Sequence, residues 1–100
     1  MVKWTAHALG QLQLIHDYIA QDSPIYAKRV AENIVAKTLR LEHLPRLGRV
    51  VPEINEDCIR ELSIYSYRVL YEIKQARVDI LAVIHKRRDL QTDDIPREIA

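Results

Sequence analysis

Six residues carry the charge and proton chemistry that this sequence could put to use: Arg60, Arg68, His85, Lys86, Arg87 and Arg88. Guanidinium groups hold phosphate or carboxylate oxygens through paired N–H donors. An imidazole beside them could move a proton, and fixed cations could steady a developing anion. The same set is equally suited to a contact with an acidic protein surface. Charged residues at strand ends are commonly just solvated, and that reading has the edge for Arg60 and Lys74. For Lys86-Arg87-Arg88, three adjacent cations repel one another and call for counter-charge. Asp89, Asp93 and Asp94 could supply it from within, or a partner could.

Other chemistry has less support in the residues. His7, His16 and His43 lack metal-ligand spacing, so no metal is expected. No glycine-rich phosphate loop, nucleophile elbow or paired carboxylates stand out, so no cofactor is expected. Cys58, the single cysteine, reads as a small apolar residue without a neighbouring base. Tyr65, Tyr67 and Tyr71 could stack on bases, but Tyr67 and Tyr71 share a strand face with Val69 and Ile73, which favours packing.

The elements that position these groups follow from periodicity. Thr5 can cap a helix in which Ala8, Leu12, Ile15 and Ile19 form one face, from about Ala6 to Gln21. Asp22-Ser23-Pro24 breaks it, and Ser23 with Pro24 opens a second helix running to about His43, before Pro45. So short a break sets the helices side by side. The period then changes. Strands are expected at Arg49 to Ile54, on an edge because of Pro52, then at Ile59 to Ile64, Tyr67 to Ile73 and Val78 to His85. The last is apolar on both faces, hence central or doubly covered. Val2 to Thr5 opens the chain as a short β-prone piece. The fold expected is α+β, an N-terminal helical hairpin packed on a mainly antiparallel sheet. In such a meander Arg68, starting one strand, and His85, ending the next, could meet at one end of the sheet.

With 100 residues, 48% hydrophobic and 29% charged, the chain suits one globular domain. The segment 89–100 is an acidic tail, loose or ordered by a partner. The formal net charge is +1, yet residues 46–88 hold nine Lys/Arg against six Asp/Glu. That argues for a local anionic contact and against general coating of nucleic acid. A single cysteine and the absence of a signal-like apolar start point to the cytoplasm.

The order of four passages resembles the RelE/ParE superfamily of toxins from type II toxin–antitoxin modules. They are Trp4-Thr5-Ala6 through Tyr18-Ile19-Ala20, the Ser23-Pro24 break with Ala27 and Ile34, and Leu44-Pro45-Arg46-Leu47-Gly48-Arg49 with Pro52-Glu53. The fourth is Arg60-Glu61-Leu62 followed by Tyr67 to Ile73 and Ile80 to Arg88. The resemblance implies a growth-inhibiting toxin, of the kind tied to plasmid stabilisation, neutralised by a cognate antitoxin. The Pro45-to-Gly48 passage and the His85-Lys86-Arg87-Arg88 ending resemble the ParE-like branch. That branch implies inhibition of DNA gyrase without catalysis, with Arg60, Arg68, Lys86, Arg87 and Arg88 as target contacts. The RelE-like alternative is a ribosome-dependent mRNA endoribonuclease, with Arg68 steadying phosphate and His85 as acid or base. This sequence departs from that pattern, having no tyrosine after Tyr71 and cations after His85. A third reading is a member that only binds its antitoxin.

Overall fold

The computed structural model describes residues 1–88, 90, 91 and 95. Both helix starts are capped as their sequences require. Thr5 is extended and its hydroxyl accepts from the Ala8 N–H at 3.1 Å, opening α1 (Ala6–Ala20). Ser23 does the same for Tyr26, also at 3.1 Å, with Pro24 in the first turn of α2 (Pro24–Leu39). The α-helix stops short of His43 and tightens into a 3-10 turn over Arg40–Glu42. There the N–H groups of His43 and Leu44 both turn to the Arg40 carbonyl, at 3.3 and 3.0 Å. Pro45 explains the change, because it disfavours helical backbone at the residue before it.

Among the described residues the sheet has five strands: β1 (Val2–Trp4), β2 (Arg49–Val50), β3 (Ile59–Ile64), β4 (Tyr67–Ile73) and β5 (Val78–His85). Their spatial order is β1-β5-β4-β3-β2. Strands β2 to β5 form the expected antiparallel meander, and β1 joins β5 in parallel, Val2 opposite Val78. The strand expected over 49–54 ends at Val50. Val51 still donates to the Ile59 carbonyl at 3.0 Å, but its own carbonyl accepts from Ile54 and Asn55, which curls the chain into a turn. Pro52 has no N–H to continue a ladder, and Asn55, at φ 56°, adopts the left-handed backbone that asparagine tolerates.

Each sheet face has its own core. The helices cover one, where Ala8, Val30, Ile34 and Leu41 meet Ile64, Val69, Tyr71, Ile80 and Val83. On the other, Val51, Ile59, Leu70, Leu81, Ala82 and Ile84 pack with Ile95, while Leu90, Ile54 and Cys58 sit at the margin. The expected double covering of β5 is therefore observed. A bulge serves it: Leu70 pairs with Ala82 and Tyr71 with Ile80, so Leu81 is the extra residue and joins Ala82 on the second face. Within the tail, Leu90 and Ile95 pack against that face. The acids Asp89, Asp93 and Asp94, expected as counter-charge, lie outside the described residues.

Candidate functional site

Tyr67 faces His85 across β4 and β5, and Arg68 faces Ile84. Adjacent residues of a strand point to opposite faces. Arg68 and His85 therefore arrive at the same end of the sheet, as the meander requires, but on opposite sides of it. His85 stands on the helical side, its ring edge-on to Tyr67 with centroids 5.7 Å apart and planes at 81°. The chain then turns through Lys86-Arg87-Arg88. The Lys86 N–H donates to the Ser66 carbonyl at 2.8 Å, and Arg88 N–H to the His85 carbonyl at 3.0 Å. The Arg87 N–H donates to His85 Nδ1 at 3.1 Å, so Nδ1 serves as the acceptor in that turn. All four side chains from His85 to Arg88 are exposed.

Arg68 lies on the other face, with its guanidinium enclosed. Nε and Nη2 reach the Glu61 carboxylate at 2.5 and 3.1 Å, and Nη1 and Nη2 reach Glu53 at 2.7 and 2.8 Å. The Glu61 side chain is only 1% exposed and the Arg68 side chain 10%. Arg49 Nε adds a third contact to Glu61, at 3.1 Å. The Arg68 hydrogen bonds hold Glu53 well below the usual carboxylate range, at about 2. The two carboxylates in turn raise Arg68, Glu53 first and Glu61 second. Glu53 belongs to the turn that replaced the end of the expected strand. The ion cluster thus fastens that turn over the second core.

Arg60 is similarly occupied. Its Nε and Nη2 donate to the carbonyl and carboxylate of Asp57, at 2.9 and 2.8 Å, and its Nη1 to the Gly48 carbonyl at 2.9 Å. The side chain is 13% exposed. Gly48 is tied down from a second direction. The Tyr71 hydroxyl accepts from the Gly48 N–H at 2.9 Å and donates to the Pro45 carbonyl at 2.7 Å. A Cβ at position 48 would collide with the Glu61 backbone and the Tyr71 hydroxyl, so only glycine fits. These bonds give the Pro45-to-Gly48 passage a structural reason. Lys74, read as solvated, instead pairs with Asp79 at 2.9 Å. Burial pushes Asp79 up, but Lys74 and Arg77 outweigh it and hold the carboxyl below its ordinary value.

Periodicity alone passes over the tyrosines. Tyr18 lies in the last turn of α1 and Tyr26 in the first turn of α2, both exposed, and the hairpin brings them toward Tyr67. Burial first, then these two phenols, push the Tyr67 hydroxyl above its ordinary value, so it remains a neutral donor. Tyr65, in the β3–β4 turn, is held at φ 55° while its hydroxyl accepts from Asn33 Nδ2. The available signal was the placement of Tyr18 and Tyr26 on either side of the Asp22-Ser23-Pro24 break. One end of the molecule thus joins aromatic rings, an imidazole and a cationic turn. Tyrosine and arginine are enriched in protein interfaces of this kind. Among the described residues no group of three or more His, Cys, Asp or Glu is placed to hold a metal.

The fold is a helical hairpin on a five-stranded sheet, among the described residues, with the His85-to-Arg88 turn exposed at one end of the sheet. Residues 2–90 match the ParE toxin family of type II toxin–antitoxin systems, parDE. A relative from Caulobacter vibrioides, named Toxin RelE2, is 33% identical over 88 residues, covering 87% of this chain and 96% of its own. The fold is similar to a chain of the chromosomal ParDE system from P. aeruginosa, with a TM-score of 0.70 and 23% identity. That likeness covers 84% of this chain and 92% of the other. The chain belongs to the ParE toxin family of type II toxin–antitoxin systems.

Proposed function

We propose that this toxin halts growth by binding DNA gyrase in the cytoplasm, and that a cognate antitoxin neutralises it by covering part of its surface. The observation that carries the reading is the division of the cations between the two faces. Arg68, the group that would steady a scissile phosphate, is committed to two carboxylates on the face opposite His85. Lys86 and Arg87 are exposed and have no carboxylate partner among the described residues. A cationic turn beside exposed tyrosines suits contact with an acidic protein surface. Lys86, Arg87 and Arg88 would make that contact, with Arg60 and Arg68 bracing the sheet and loops behind it.

A ribonuclease reading has two observations in its favour. The Caulobacter relative carries the name RelE2, and His85, exposed, sits against Tyr67. In that reading His85 would exchange a proton with the RNA and the cationic turn would hold phosphate. The test is a supercoiling assay with purified gyrase beside cleavage of mRNA on programmed ribosomes. Gyrase inhibition that survives His85→Ala and disappears with Lys86→Ala/Arg87→Ala/Arg88→Ala is expected. Cut mRNA with normal supercoiling would overturn it in favour of the ribonuclease. Silence in both assays would favour a chain that only binds its antitoxin.

A further inference from the structure

The helical hairpin keeps apolar side chains on its outer surface as well as on the face that meets the sheet. Leu9 of α1 is 51% exposed and Leu39 of α2 is 56% exposed. Between the helices Leu9, Leu12, Gln13, His16 and Ala31 line a hollow of about 250 Å³. A shallower apolar surface shares Ala31 with it and continues along α2 over Val35, Ala36 and Leu39. Monomers rarely leave joined apolar surface of this kind without a use for it.

The surface is complementary to itself. Ala31, Val35 and Leu39 recur every four residues and so form one row along α2. One end of the row is a small side chain beside a hollow, the other a large exposed one, and Val35 lies midway. A two-fold axis at Val35 exchanges the ends: Leu39 of each copy meets the hollow at Ala31 of the other. Charge follows the same symmetry. Lys28 and Glu42 lie equally far from Val35 along the chain, one before it and one after. The axis therefore sets Lys28 of each copy opposite Glu42 of the other. Both side chains are exposed, at 77% and 47%. Their partners within the chain leave them reachable, since Glu32 stands 3.8 Å from Lys28 and the terminal amine 3.2 Å from Glu42. A two-fold contact needs this reciprocity, in which one residue meets a second and the second meets the first.

We propose that two copies of this chain pair through the outer face of the hairpin, α2 against α2 in antiparallel orientation. Val35 meets itself at the axis, Leu39 enters the hollow between the partner's helices, and Lys28 faces Glu42 on both flanks. Burial of the leucines supplies attraction, and the two charge pairs fix the antiparallel direction. The pairing does not depend on what the toxin inhibits.

Sedimentation velocity of the purified full chain between about 1 and 200 µM measures the pairing over the range expected of a modest interface. A reversible monomer–dimer equilibrium is expected. Val35→Glu brings two carboxylates together at the axis and should weaken the dimer by about tenfold or more. Lys28→Glu alone and Glu42→Lys alone each set like charges opposite one another and should weaken it by about threefold or more. Lys28→Glu with Glu42→Lys should restore it, because the exchange keeps opposite charges facing. Those two positions are exposed, so this exchange decides the matter even if Val35→Glu does not fold. A chain monomeric throughout would overturn the proposal. So would a dimer indifferent to Val35→Glu in a folded variant, or a charge exchange that restores nothing. A chain that stays monomeric alone, but whose complex with its antitoxin is broken by Val35→Glu, would give the face to the antitoxin and overturn it too.

Discussion

Replacing Arg68 by methionine strands a carboxylate in the second core. Glu61, 1% exposed, would lose both of its contacts to Arg68, and Glu53 would lose both of its own. Removing one member of a buried ion pair costs about 3–5 kcal/mol. Two features place Arg68→Met at the lower end, about 3 kcal/mol. Arg49 Nε remains 3.1 Å from Glu61, and the Glu53 side chain, 39% exposed, can turn to water. In a domain of this size about 1 kcal/mol moves the melting temperature by about 4–8 °C, so a fall of about 12–24 °C is expected. Urea denaturation followed by circular dichroism measures the free energy directly. The double variant Glu61→Leu/Arg68→Met should recover half or more of the loss, because an apolar pair leaves no stranded charge. A loss below about 1 kcal/mol for the single variant would refute the argument. So would a double variant as unstable as the sum of the two single variants, since additivity would mean that Arg68 and Glu61 do not interact.

The Glu53 carboxyl, held at about 2 against 4.5 in a free chain, links the same cluster to pH. A depressed carboxyl stabilises fully above its unfolded value, so the contribution should be intact above about pH 5 and fade as pH falls toward about 2. After discounting for solvent at this partly exposed group, about 1–2 kcal/mol is expected, absent in Glu53→Gln, and acid titration of stability measures it. Tyr71→Phe removes the bonds to Gly48 and Pro45 and leaves a buried N–H unpaired, which should cost about 1–3 kcal/mol in denaturant. Gly48→Ala forces a methyl group into the Glu61 backbone and should lose about 1–3 kcal/mol, with little relief from trimming Tyr71 to phenylalanine because the backbone clash remains.

Local signals in the sequence carried far. Thr5 and Ser23-Pro24 mark both helix starts, and alternation marks β3, β4 and β5, because caps and periods are set by neighbouring residues. Where a distant residue decides the outcome, the reading fell short. The segment after Val50 is β-prone, yet past Pro52 it curls into a turn that Arg68, fifteen residues beyond Glu53, then holds inward. Topology brought Arg68 and His85 to one end, but the face of each followed from strand register, which a bulge at Leu81 makes hard to count. Arg60 and Lys74 looked like solvated ends because their partners Asp57 and Asp79 only meet them once loops and hairpins close. The grouping of Tyr18 and Tyr26 near Tyr67 depends on helix docking, which no local pattern states.

The parallel pairing of Val2 with Val78 has a consequence for synthesis. β1 finds its neighbour only in β5, more than 70 residues later, and α1 packs on that same strand. The two helices can form while translation continues, but their apolar faces have no sheet to rest on until β5 emerges. Contacts so distant along the chain also make folding slow relative to helix formation. For a toxin, this order of events means that the cationic turn takes its place on the sheet only once β5 has emerged. The interval before then is one in which a partner already in the cell can meet the chain unfinished.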